Sequence, residues 1–195
     1  MDPRILTAAV GSNAELLETV SGFYIEAGSI VADVTFGKGV FWNNVDTSRW
    51  DFRPTDINTG VDCRSLPYKD EEIDVLVFDP PYMHGGKTIK ASINQCYHNQ
   101  NGSHASIIRL YLGGLLEAWR VLKRGGIVLV KTQDEIESGK QRWSHVEILQ
   151  SLELIGFKVV DLFVLVQHGQ PTMREAYQKT ARKNHSYLLV GRKTS

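Results

Sequence analysis

A chain of 195 residues with 22 basic and 22 acidic side chains carries no net formal charge, which argues against a protein that holds nucleic acid by bulk charge alone. No apolar run approaches the length of a membrane span, and the start Met1-Asp2-Pro3-Arg4 lacks a signal-peptide pattern. Cys63 and Cys96 are the only cysteines; they imply a reducing, cytoplasmic setting without a disulfide framework, and the length suits one domain over 1–195. The charge is uneven: residues 1–79 hold 14 acidic and 6 basic side chains, residues 80–195 hold 8 and 16, which fits one anion-facing side and a separate acidic one.

In chain order, Ser12-Asn13-Ala14-Glu15 reads as a capping box opening a helix through about Tyr24, with Leu16, Leu17, Val20 and Phe23 at helical spacing. Residues 30–34 form a first strand that runs into Thr35-Phe36-Gly37-Lys38-Gly39, and a short helix with Val40, Phe41 and Trp42 follows. Residues 51–55 make a second strand ending at Asp56, and 61–66 a short third strand or a turn. Residues 73–78, Ile-Asp-Val-Leu-Val-Phe, read as a buried parallel strand. Residues 83–104 are polar and lack periodicity, which suits a substrate lid. Cys96, His98 and His104 in that stretch lack zinc spacing, so no metal is expected. An amphipathic helix covers 105–123 and stops at Gly125-Gly126; strand 127–130, helix 143–154 and strand 159–166 come next. A basic segment, 167–184, leads to a last strand, 186–190. The alternation argues a mostly parallel, doubly wound α/β sheet.

The chemistry concentrates at Asp79-Pro80-Pro81-Tyr82, directly after the buried strand. Two prolines force the chain out of the sheet at once, so Asp79 sits at a strand's carboxyl end, where open α/β sheets bind ligands. Pro81 has no N–H for a local turn, so the Pro80 carbonyl is free to accept from outside. With the Tyr82 ring beside them, these acceptors suit a planar, amine-bearing group. Gly37 and Gly39 permit a tight turn and close approach of a ligand to backbone, though a Gly-x-Gly alone also occurs in plain turns.

The tetrapeptide resembles the signature of amino-methyltransferases that use S-adenosylmethionine. Asp33-Val34-Thr35-Phe36-Gly37-Lys38-Gly39 resembles their first motif, Asp-x-Phe-x-Gly-x-Gly, with Thr35-Phe36 departing from the commonest wording. The ending Asn184-His185-Ser186-Tyr187 resembles the closing strand of the DNA enzymes. The resemblance spans about 30–193 and implies a Rossmann-like methyltransferase fold whose last strand is antiparallel.

It also implies S-adenosylmethionine held by Asp33, Thr35, Phe36, Gly37 and Gly39, with Asp56 on the ribose and Asp62 and Cys63 near the adenine. Asp79, Pro80, Pro81 and Tyr82 become the catalytic set. Met83, His84, Lys87, Lys90, Arg182 and Lys183 become the nucleic-acid contacts. The expected substrate is an exocyclic amine of a DNA base, adenine N6 or cytosine N4, with a partner subunit for target recognition and no membrane. An RNA guanine-N2 methyltransferase is the alternative. A non-catalytic nucleic-acid-binding subunit or a nicotinamide-dependent dehydrogenase would leave one or both motifs without a purpose.

Overall fold

β-Branched and aliphatic runs set the strands, and the amphipathic segments between them set the helices. The computed structural model describes residues 5–82, 103–168, 181 and 183–194. Its strands are β1 Ala8–Gly11, β2 Ile30–Asp33, β3 Asp51–Pro54, β4 Ile73–Phe78, β5 Leu122–Thr132, β6 Glu135–Glu137, β7 Lys140–Arg142, β8 Phe157–Gln167 and β9 His185–Lys193. Its α-helices among the described residues are α1 Asn13–Tyr24, α2 His104–Val121 and α3 Ser144–Ile155.

Seven strands join in the order β1-β8-β9-β5-β4-β2-β3, while β6 and β7 pair as a separate hairpin. Neighbours in the large sheet are parallel, except that β9 lies antiparallel between β5 and β8. This is the Rossmann-like methyltransferase arrangement. The Ser12–Glu15 capping box is present, with Ser12 N–H donating to Glu15 Oε2 at 2.6 Å and Glu15 N–H to Ser12 Oγ at 3.2 Å.

Residues 61–66 take the second of the two expected forms, a turn: Cys63 and Leu66 are buried, and Asp62 is bonded by Arg64. Other features differ from expectation. β1 is an additional edge strand, and its first three residues are exposed. The short helix is a single 3₁₀ turn, Val40–Trp42. The helix expected to end at Lys123 stops at Val121, and the strand begins at once with Leu122, running through Gly125-Gly126. Strict alternation also fails from β2 through β3 to β4, which are joined by 3₁₀ turns with no α-helix between them.

Both sheet faces are covered. Ile107, Leu110, Tyr111 and Leu115 of α2 pack with Leu76, Phe78 and Val128 on one face. Leu16, Leu17 and Val20 of α1 pack with Phe41, Trp42, Val75 and Leu129 on the other. Each such fully buried large side chain contributes about 1.5–3 kcal/mol. Gly114 lets α2 approach the end of β4, since a Cβ there would lie 2.3 Å from the Phe78 ring. Among the described residues no helix is long and apolar enough to cross a membrane.

Candidate active site

The carboxyl ends of β2, β3, β4 and β5 share one edge, because these strands are mutually parallel. β9 runs the other way, so its first residues reach the same edge: Tyr187 pairs with Thr132 and Leu188 with Lys131. The two motifs read from sequence therefore meet. Their joint is Thr35, where the chain departs from the usual first-motif wording. Its Oγ1 accepts from the Asp79 N–H at 2.7 Å and donates to Asp33 Oδ1 at 3.4 Å.

Asp33 points inward. Oδ1 accepts from Thr35 N–H at 2.8 Å and Oδ2 from Trp42 Nε1 at 2.6 Å. Burial pushes its carboxyl up to about 7, against the pull of the Trp42 and Thr35 hydrogen bonds. Its role among the described residues is to brace the turn from within. Gly37 and Gly39 adopt φ of 56° and 69°, the left-handed region that glycine enters freely. They differ in what faces them. A Cβ on Gly39 would strike the Phe36 ring at 2.5 Å, whereas near Gly37 the nearest atom is the Thr35 carbonyl at 3.9 Å. Gly37 is the open point of the turn.

Asp56 closes β3 onto that turn. Oδ2 accepts from Gly37 N–H at 3.2 Å and Oδ1 from Asn58 N–H at 2.8 Å. One carboxylate thus caps a 3₁₀ turn and ties down the glycine loop, and Oδ2 retains acceptor capacity. Asp62 is engaged by Arg64, Nη2 to Oδ2 at 2.6 Å, and that guanidinium holds its carboxyl below the usual range. Cys63 is buried in the core below, its thiol pushed up to about 12 mainly by burial.

Asp79 is different in kind. Its Oδ1 is buried and has no hydrogen-bond partner among the described residues. Burial pushes its carboxyl up to about 6, opposed by the positive charge of Lys131. Lys131 sits in β5, fully buried, with Nζ likewise without a partner and 5.5 Å from the centre of the Tyr82 ring. Burial pushes its ammonium down to about 8, with Asp79 pulling the other way. Tyr82 packs on the core, and burial, aided by Asp79, pushes its hydroxyl up to about 12. Pro80 is buried and Pro81 half-buried between these groups.

Lys131 is the residue that sequence reasoning missed. It directly follows the apolar run 127–130, and parallel pairing of Phe78 with Val130 brings it level with Asp79. A lysine continuing a central strand was the available signal. The β9 start adds an aromatic group: Tyr187 stacks on His145 at 4.1 Å, and its hydroxyl lies 3.0 Å from His185 Nε2. Lys183 Nζ sits 5.3 Å from the centre of the Trp143 ring, which is half exposed. Met83, His84, Lys87, Lys90 and Arg182 lie outside the described residues, as do Cys96, His98 and most of the expected lid. Among the described residues no group of three or more His, Cys, Asp or Glu could hold a metal ion.

No protein-family model matches the chain, and no curated protein does. Solved structures do. The chain is similar to the [4+2]-cyclase SpnF, with 19% identity over 93% of this chain and 80% of that one at a TM-score of 0.56. It is similar to a SAM-dependent methyltransferase of Methanosarcina mazei, with 12% identity over 90% and 97% of the two chains at 0.52. A further match is TTHA0409 of Thermus thermophilus, named as a candidate DNA modification methylase, with 19% identity over 69% of this chain at 0.47. This chain spans about half of that protein, 52% of its length. The first two likenesses show the fold. A fold that serves a cyclase as well as a methyltransferase does not select the reaction, so the site residues must.

Proposed function

We propose that this chain is an S-adenosylmethionine-dependent methyltransferase acting on an exocyclic amine of a DNA base, adenine N6 or cytosine N4. The observation that carries the reading is the Asp79 carboxylate. Its Oδ1 is buried and lacks a hydrogen-bond partner among the described residues, and it stands at a strand's carboxyl end, one hydroxyl away from a glycine turn. A buried acceptor left open costs free energy unless a ligand supplies the donor. An amine with two N–H groups supplies one to Asp79 and one to the Pro80 carbonyl.

The turn fits the cofactor. Space beside Gly37 allows close approach to backbone, and Asp56 Oδ2 has capacity for a ribose hydroxyl. Bound there, S-adenosylmethionine supplies the methyl group. The chain's residues do the rest. An exocyclic amine is a poor nucleophile because its lone pair is delocalised into the ring. Holding both N–H groups off-plane localises that pair, and the Asp79 carboxylate would stabilise the positive charge as the N–C bond forms in place of the sulfonium–methyl bond; the neutral thioether would leave, and the surplus proton on nitrogen would pass to Asp79 or to solvent. Tyr82 orients the flat base by stacking, and the shared edge supplies proximity. In duplex DNA the base has to be flipped out first. Lys183 beside Trp143 offers charge and a ring to the flanking strand, and a partner subunit is proposed for sequence recognition.

The test is incubation with isotopically labelled S-adenosylmethionine and separate DNA and RNA substrates, followed by nucleoside mass spectrometry. Label on adenine N6 or cytosine N4 of DNA is expected. Label only on guanine N2 of RNA would replace the substrate, and no transfer with undiminished binding of a nicotinamide cofactor would replace the reaction.

A further inference from the structure

Two lysines of the sheet are buried, and they behave differently. Lys193 in β9 donates Nζ to the Leu122 carbonyl at 2.7 Å and lies 3.5 Å from Glu71. That is a lysine held by the fold. Lys131 in β5 has no exposed surface, and its Nζ has no hydrogen-bond partner among the described residues. An ammonium in that state is costly, and packing alone would favour an apolar residue of the same volume.

The surroundings restrict what could meet this ammonium. Asp79 Oδ1, also buried and also without a hydrogen-bond partner among the described residues, is near enough for its charge and that of Lys131 to act on each other, and Nζ lies over the Tyr82 ring, 5.5 Å from its centre. A phosphate would answer the lysine but be repelled by the carboxylate. A second ammonium would do the reverse. A ligand that satisfies both must donate to Asp79, accept from Lys131 and be flat enough to lie against Tyr82. A ring nitrogen bonded to the carbon that carries the amine meets all three requirements.

This step rests on the amine-methyltransferase reading. We propose that Lys131 is a base-reading residue, its ammonium donating to the ring nitrogen beside the reacting amine: N1 of adenine or N3 of cytosine. Guanine places N1–H beside its amine on the Watson–Crick edge, so donor would face donor in that orientation; only its opposite neighbour, N3, could accept. The ammonium is still mostly protonated at neutral pH, because burial lowers it only to about 8. The contact thus joins base choice to the same pocket that performs the chemistry.

The test uses the wild-type enzyme and Lys131→Met with oligonucleotides carrying the natural base, 1-deazaadenine or 3-deazacytosine as appropriate, and 3-deazaadenine as a control. Replacing the ring nitrogen by C–H makes the amine more aniline-like and more nucleophilic, so a loss of rate cannot come from intrinsic reactivity. A charged hydrogen bond predicts a wild-type loss in kcat/KM of about 10- to 100-fold. In Lys131→Met the same replacement should cost nothing further, while calorimetric affinity for S-adenosylmethionine stays within about twofold. Equal penalties in the two enzymes would overturn the proposal. So would a matching fall in cofactor affinity, which would put the ammonium on the cofactor. If Lys131→Met does not fold, wild type alone decides: tolerance of 1-deazaadenine equal to that of 3-deazaadenine, or of 3-deazacytosine equal to that of cytosine, overturns it. Failure of this inference is distinct from failure of the functional reading, because the latter shows as no methylation of natural adenine or cytosine at all.

Discussion

The β2–β3 side and the β4–β5 side of one sheet edge treat their charges in opposite ways. On the first, Asp33, Asp56 and Asp62 are each engaged by named donors from the chain itself, namely Trp42 and Thr35, Gly37 and Asn58, and Arg64. On the second, Asp79 Oδ1 and Lys131 Nζ are buried without hydrogen-bond partners among the described residues. The first side uses its carboxylates to hold a backbone turn in one shape, with acceptor capacity left at Asp56 Oδ2. The unsaturated side keeps its capacity for something that arrives from outside. Engaged and open polar groups occupy neighbouring strands, and the Thr35 hydroxyl joins them.

The harshest way to break this contrast is to remove Asp79. Asp79→Ala should lower single-turnover methylation by about 10³-fold or more while calorimetric affinity for S-adenosylmethionine changes little, since the lost interaction belongs to the transition state. The corresponding change on the other side, Asp56→Ala, should instead weaken the cofactor and shake the glycine turn.

Stability should sharpen the contrast with the opposite sign. Asp79 has a folded-state pKa of about 6, above the unfolded value of about 3.9. Between these values the native state holds more protons, so this group makes stability fall as pH rises from about 4 to about 6. Asp79→Asn removes that fall. It should therefore be inactive yet more stable than wild type at pH 7 by roughly 1–3 kcal/mol, with the gain gone below pH 4. Denaturant unfolding at the two pH values measures this. Activity should follow a bell, rising as Asp79 ionises near 6 and declining as Lys131 loses its proton near 8. Asp33 faces Asp79 from the end of β2, and Tyr82 and Tyr111 face it from the turn and α2. A pH–rate profile lacking the acid limb would show that Asp79 is not the group in play.

Thr35→Val cuts the joint between the two sides. It leaves the Asp79 N–H without its acceptor and should cost about 1–3 kcal/mol, read by thermal unfolding, with Thr35→Ser restoring most of it. The smallest effect is expected at Asp62. Its pairing with Arg64 is partly solvent-exposed, so Asp62→Asn should change stability by less than about 1 kcal/mol.

Sequence carried the central strands well, because runs such as 73–78 and 127–130 are apolar on both faces. The edge strand Ala8–Gly11 escaped since it is short and its outward residues are as apolar as its buried one. The hairpin of β6 and β7 escaped because three mostly polar residues on each side leave no hydrophobic pattern. The start of β5 was hidden by Gly125-Gly126, which read as a stop. At the candidate site, the glycine turn after β2 and the place of Asp79 at the end of β4 were legible from motif wording. The Thr35 joint was not, because a hydroxyl bonded to a residue 44 positions further along the chain leaves no local trace. Lys131 left one local sign, a lysine directly after the apolar run 127–130, but its nearness to Asp79 comes from the pairing of two strands distant in sequence.

The reversed direction of β9 has a practical consequence for handling the protein. Its first residues, His185 to Tyr187, arrive at the reactive edge, and its last, Arg192 and Lys193, pair back beside Ile127 and Phe157 at the far side. A fluorophore or affinity handle joined beyond Lys193 would therefore leave from the face opposite Asp79, clear of any nucleic acid docked there. A handle of the same size inserted just ahead of His185 would sit in its path.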